Sequence, residues 1–128
     1  MGFWIFMLVM ELLVPLTMII IGNVFYKKAP KEINSIYGYR SSMSMKNEDT
    51  WKFAHNYCGK ILRLIGWIIF VISIFVMITL FGKSEDAIGE IGMYLVIFQM
   101  VCLIASIFPT EKALRKNFDK DGNRKFLD

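Results

Sequence analysis

The chain has 128 residues, room for one domain, and 55% of them are hydrophobic, with mean hydropathy +0.48. A net charge of +4 does not favour a general nucleic-acid binder. Two cysteines, Cys58 and Cys102, and one histidine, His55, exclude a small disulfide scaffold and a zinc site of familiar spacing. Both cysteines read as small apolar packers. His55 reads as a polar position on a helix.

The first apolar segment runs from about Phe3 to Phe25. It contains Glu11 and Pro15. A charge near the centre of a span costs about 2.5–3.5 kcal/mol on the insertion scale. The Leu, Ile, Phe and Val residues of this segment offset roughly 4–8 kcal/mol on the same scale, so it is expected to insert. No Lys or Arg precedes the run and no small-x-small site follows it, so it reads as a retained span and not a cleaved signal. Pro15 removes one backbone hydrogen bond and is expected to kink the helix. Glu11 is the leading intramembrane candidate, because an ionisable group within a span is functional by default. Thr17 and Gln99 are its expected neighbours. The bland alternative for Glu11 and Gln99 is polar glue between helices.

Residues 26–60 form a long polar loop. Pro30 is expected to end any helix continuing from the first span, with Lys27 to Tyr37 as a surface loop. Gly38, Ser41, Ser42 and Ser44 keep the chain irregular. Asn47 is then a strong N-cap, with Glu48 and Asp49 in the first turn. Trp51, Ala54, Cys58, Ile61, Leu62 and Ile65 follow helical spacing, which predicts an amphipathic helix running into the next span. Trp51 and Tyr57 suit the headgroup level.

The second span is Ile61 to Phe81, with an uncharged core "WIIFVISIFVMITLF". A turn at Gly82–Asp86 leads to the third span, about Ala87 to Phe108, with Gln99 near its middle. Glu90 sits near the end of that span and carries no assignment. The tail, residues 109–128, predicts a short helix capped by Thr110 and stopped at Gly122. Its "DKDGN" lacks the ligand order and terminal Glu of a calcium loop and reads as a turn.

Fourteen of the fifteen basic residues fall in the long loop, at its edge or in the tail, leaving only Lys83 between spans two and three. The positive-inside rule then places loop and tail in the cytoplasm and the N-terminus outside. The expected fold is an all-α integral membrane protein forming a single domain over residues 1–128. It has three transmembrane helices, an amphipathic cytoplasmic helix before the second and a short cytoplasmic C-terminal helix. No Gly-rich phosphate loop, nucleophile–His arrangement or paired metal ligands occur, so no catalytic residue, metal or cofactor is expected.

The loop carries "GYRSSMSMKNEDTWKFAH" from Gly38 to His55, followed by Gly59. This resembles the signature of the SdpI family of bacterial membrane immunity proteins: Gly-Tyr-Arg, a spacer, Ser-hydrophobic-Lys-Asn, polar residues, Thr-Trp and Ala. The resemblance points to Gly38, Tyr39, Arg40, Ser44, Met45, Lys46, Asn47, Trp51 and Ala54. It implies a multi-pass protein of the bacterial cell membrane that protects against a secreted membrane-active toxin peptide. It also implies signalling, since a toxin-bound family member holds a cytoplasmic repressor at the membrane. Beyond the lipid bilayer, the implied partners are the toxin peptide, that repressor or another membrane protein, and further copies of the chain. Two rivals stand beside it: a small proton-coupled multidrug transporter using Glu11, and an accessory membrane subunit.

Overall fold

A computed structural model describes residues 1–28, 33 and 38–124. The expected break at Pro30 and the loop positions Lys31 and Tyr37 lie outside the described residues. The described chain forms four helices: α1 Gly2–Lys28, α2 Glu48–Thr79, α3 Glu85–Ala105 and α4 Ile107–Asn117. Three helical stretches are long and apolar enough to cross a membrane.

The lengths follow from simple geometry. The 32 residues of α2 make a rod about 48 Å long, against a hydrocarbon core of about 30 Å. The apolar part, from Ile61 to Thr79, matches that core in length. The polar first third is length beyond what a core requires, and it forms one unbroken helix with the candidate span. At the other end the chain turns at Gly82, whose φ of +81° suits glycine alone, and restarts with the Ser84 side chain accepting from Ala87 N at 3.2 Å.

α1 packs chiefly on α2. The approach is close because glycines face each other. A Cβ added at Gly22 would lie 2.6 Å from Arg63 N, and one added at Gly59 would lie 2.6 Å from Gly22 O. Gly66 makes a third close point, against Ile19. Small residues let backbones touch where lipid provides no hydrophobic push between helices. Around this crossing Met18, Phe25, Cys58, Leu62 and Ile69 form a buried cluster. A second cluster, Met77, Leu80 and Ile88, closes the opposite end. There Trp4 Nε1 donates to Met77 O at 2.7 Å.

Pro15 lies inside α1 and is buried. Having no N–H, it leaves the carbonyl of Glu11, four residues earlier, without its helical donor. Gln99 supplies one: its Nε2 donates to Glu11 O at 2.8 Å and to Ser73 Oγ at 2.8 Å. Glu11 O is an acceptor only, so the amide must present its nitrogen here. One side chain thus repairs the proline defect and ties α3 to both α1 and α2. Thr17 takes no part. It is exposed and its hydroxyl donates to Leu13 O at 2.7 Å, one turn back, so the expected Thr17–Glu11 contact is not formed.

Two further expectations are corrected. Thr110 does not cap the last helix. α4 begins at Ile107, only Ser106 separates it from α3, and Thr110 is buried within it, donating to Ser106 O at 3.3 Å. The last helix stops at Asn117 and not at Gly122, which sits in the following turn.

The repair makes a double-mutant prediction. Gln99→Leu should destabilise the protein in detergent by about 1–3 kcal/mol, the usual cost of an unpaired buried polar group. Combined with Pro15→Ala, which restores the helical donor, that cost should shrink by at least half. Equal costs in the two backgrounds, measured by thermal unfolding, would refute the repair. In the same assay Gly59→Ala should lower Tm, whereas Gly89→Ala, whose Cβ meets nothing nearer than Phe3 at 3.8 Å, should not.

Candidate functional site

The polar loop does not trail in solvent where it is described. Gly38 turns with φ +114°, a region closed to other residues, and an added Cβ would lie 2.6 Å from His55 Nε2 and 3.1 Å from Trp51 Cζ2. This turn brings Tyr39 N within 2.9 Å of His55 Nε2. The other ring nitrogen, Nδ1, is 2.8 Å from Trp51 O. Nε2 must accept from Tyr39 N–H, so Nδ1 carries the proton and donates to Trp51 O, and the ring is neutral. His55 lies on the polar third of α2, ahead of the apolar stretch, and burial lowers its pKa below the usual 6.5. Phe25 and Trp51 pack on the ring with centroids 4.8 and 4.3 Å away.

Tyr39 also donates its hydroxyl to Glu111 Oε1 on α4 at 2.6 Å. Burial, with Glu111 beside it, pushes the Tyr39 pKa up, so the hydroxyl stays a donor. Ser41 and Ser44 close the next turn reciprocally: Ser41 N donates to Ser44 Oγ at 2.9 Å and Ser44 N to Ser41 Oγ at 3.1 Å. The buried Ser44 hydroxyl has Tyr39 O within 3.0 Å.

Asn47 caps α2 as expected, and the cap is reciprocal. Thr50 N donates to Asn47 Oδ1 at 2.9 Å, and Asn47 N donates to Thr50 Oγ1 at 3.1 Å. The other end of the Asn47 amide, Nδ2, donates to Gly122 O at 2.7 Å. The tail reaches this point through the turn at "DKDGN", where Asp119 Oδ1 accepts from Asp121 N and Asn123 N, each at 2.9 Å. Arg124 then grips Asp49 with two bonds of 2.9 and 3.0 Å. This pair is half-exposed, so it contributes at most about 1 kcal/mol. Beneath these bonds Met43, Ala54, Leu114 and Phe118 form a small apolar core.

A family profile described as the SdpI/YfhL protein family matches residues 31–110. The chain belongs to the SdpI/YfhL family. It is 31% identical over 102 residues to the Bacillus subtilis protein named uncharacterized protein YfhL, covering 77% of this chain and 79% of that one. No solved structure matches it.

Of the SdpI signature residues, the fold gathers all nine into one knot. Gly38, Tyr39, Ser44, Asn47, Trp51 and Ala54 hold it together; Trp51 and Ala54 are fully buried. Trp51 therefore docks inside the protein rather than standing as an exposed headgroup anchor. Met45 is half-buried, while Arg40 and Lys46 point outward. The second pair of candidates, Glu11 and Gln99, lies apart from the knot in the helical bundle. Gln99 meets the backbone of Glu11 and not its carboxyl group. Both Glu11 carboxyl oxygens and Gln99 Oε1 are buried with no hydrogen-bond partner among the described residues. Gly92 faces Glu11, where an added Cβ would lie 3.1 Å from Oε1.

Sequence reasoning did not assign the partners of His55, Thr50, Glu111 and Gly122. Thr50 was visible three residues after Asn47, the capping-box spacing. His55, one turn after Trp51, has the i,i+4 spacing of a helical pair. Glu111 carried no signal, because its partner is 72 positions away.

The bond from Tyr39 N to His55 Nε2 latches the loop to α2, and it holds only while His55 is neutral. The folded state keeps the ring unprotonated and the unfolded chain titrates near 6.5. Stability from this latch is therefore complete above about pH 6.5 and lost as pH falls below it. Thermal unfolding should show Tm dropping between pH 7.5 and 5.5, and His55→Gln should flatten that slope. A slope unchanged by the substitution would place the titration elsewhere. Gly38→Ala should cost about 1–3 kcal/mol in the same assay, from strain at positive φ.

Proposed function

We propose that this chain is a membrane immunity protein, guarding a bacterial cell against a secreted membrane-active toxin peptide. The observation that carries the reading is membership of the SdpI/YfhL family, whose matched range, residues 31–110, includes the stretch 38–54 that folds into one knot at the basic end of the bundle. Six of the nine signature residues build the knot, which leaves Arg40 and Lys46 as outward cations on a rigid platform. On this reading the platform lies in the cytoplasm and the N-terminus outside, the orientation that the positive-inside rule favours for this distribution of Lys and Arg. A toxin meets the spans and the Gly82 turn first. The inner platform then engages a repressor or another membrane protein, and self-association of the thin three-helix bundle completes the unit. Protection is by binding and signalling, with no catalytic step and no cofactor.

The rival worth a direct test is a proton-coupled transporter. The observation in its favour is the Glu11 carboxyl group, buried in the bundle with no partner among the described residues. Transporters of that small kind use four spans and short loops; this chain has three candidate spanning helices and a long, knotted loop.

Expression in a sensitive strain challenged with membrane-depolarising peptides tests both readings. The wild-type chain should preserve membrane potential. Arg40→Ala with Lys46→Ala, at matched expression, should lose most of that protection while the fold persists. Asn47→Ala and Trp51→Ala should lose it together with the fold. Full protection by the doubly substituted surface would rule out the platform. Loss of proton-coupled drug efflux in Glu11→Gln would favour the transporter. A reporter fused after Asp128 should be active only inside the cell.

A further inference from the structure

Two apolar cavities open on the lipid-facing side between α1 and α3. One, about 340 Å³, is lined by Leu13, Val14, Thr17, Met18 and Met100 among others. The second, about 470 Å³, runs from Leu62 and Leu103 past Phe25 and Cys58 to Tyr39, Arg40 and Ser41. Leu62 and Leu103 line both, so the two lie end to end and together form a groove. It exists because α1 is drawn onto α2 at Gly22 and Gly59, while α3 has no such approach at that level.

The dimensions select the occupant. From Leu13 to Phe25 along α1 the groove is about 18 Å long. Leu13 lies near the middle of its span, and half a hydrocarbon core is about 15 Å. The groove therefore runs from the bilayer midplane to one surface, the depth of a single leaflet. Its walls are almost wholly apolar, which suits a hydrocarbon chain rather than a polar ligand. An extended acyl chain is the narrow object that fits. At the surface end the wall changes character: Arg40 is exposed and makes no hydrogen bond or ion pair among the described residues. A guanidinium presents a fork that matches a phosphate.

We propose that this groove is a binding site for one anionic phospholipid, its acyl chain laid between α1 and α3 and its phosphate held by Arg40. The site goes beyond the immunity reading and does not depend on it: a chain that protects without retaining lipid, or retains lipid without protecting, separates the two.

The test is native mass spectrometry of the full chain released from nanodiscs of equal phosphatidylglycerol and phosphatidylcholine. Wild type should retain one lipid per chain and favour phosphatidylglycerol about fivefold, the preference that one basic side chain gives at a membrane surface. Arg40→Gln should still retain a lipid but without the headgroup preference. Filling the groove with Leu103→Trp, or with Thr17→Phe at an exposed position, should abolish retention. Val71→Trp, on the exposed face of α2 away from the groove, should leave it intact. Circular dichroism confirms that each variant is folded. Equal retention of the two lipids by wild type, a preference surviving in Arg40→Gln, or a second copy of the chain or a peptide bound in place of lipid would each overturn the proposal.

Discussion

A membrane-buried backbone carbonyl must find a donor, because no water is there to provide one. Pro15 creates such a carbonyl at Glu11, and Gln99 answers it. The arrangement of the bundle follows from that debt. Gln99 has two amide hydrogens, and its second goes to Ser73 on α2. A defect in one helix thereby fixes the register of the other two. α3 makes few other polar connections with α1 and α2, so this point carries much of its placement. With its nitrogen committed to these two acceptors, Gln99 keeps its Oε1 buried without a partner among the described residues.

The other half of the structure is organised differently. In the bundle, specificity comes from the Gln99 junction, from the Trp4–Met77 bond and from glycines that admit close backbones. At the basic end it comes from a dense set of local bonds that bind loop, helix start and tail together. Asn47 illustrates the economy: its oxygen caps α2 and its nitrogen holds the tail. His55 does likewise, with one nitrogen on the loop and the other on its own helix. Because such groups are shared, single substitutions there disturb two elements together, and additivity between them should fail.

Much of this was legible in the sequence. The three apolar segments, the Asn47 cap, the inward Gln99 and the turn at "DKDGN" all follow from local rules, since their causes lie within a few residues. Thr110 misled because Ser106 leaves the chain helical across a position where a new start seemed needed; a hydroxyl within a helix can bond back one turn instead of capping. Thr17 misled because sequence distance from Glu11 does not say which face a residue occupies, and here it faces out. The partners of Tyr39 and His55 were illegible for another reason. They arise where the loop folds back over α2 and α4, and nothing local encodes that return. The signature pattern located the knot, but only the geometry divides its residues into those that build it and those that face outward.

The unbroken course of α2 has a mechanical consequence. No proline interrupts its 32 residues, and one end is seated in the knot while the other carries the Trp4 and Phe81 contact. A stiff rod of this kind cannot absorb a disturbance by bending at a joint. A change in tilt imposed at the far rim would be carried along α2 toward the knot, past the close contact of Gly22 with Gly59. Of the three tryptophans, Trp4 stands beside one tip and Trp51 within the other, so with Trp67 replaced the remaining pair are natural optical gauges of that motion.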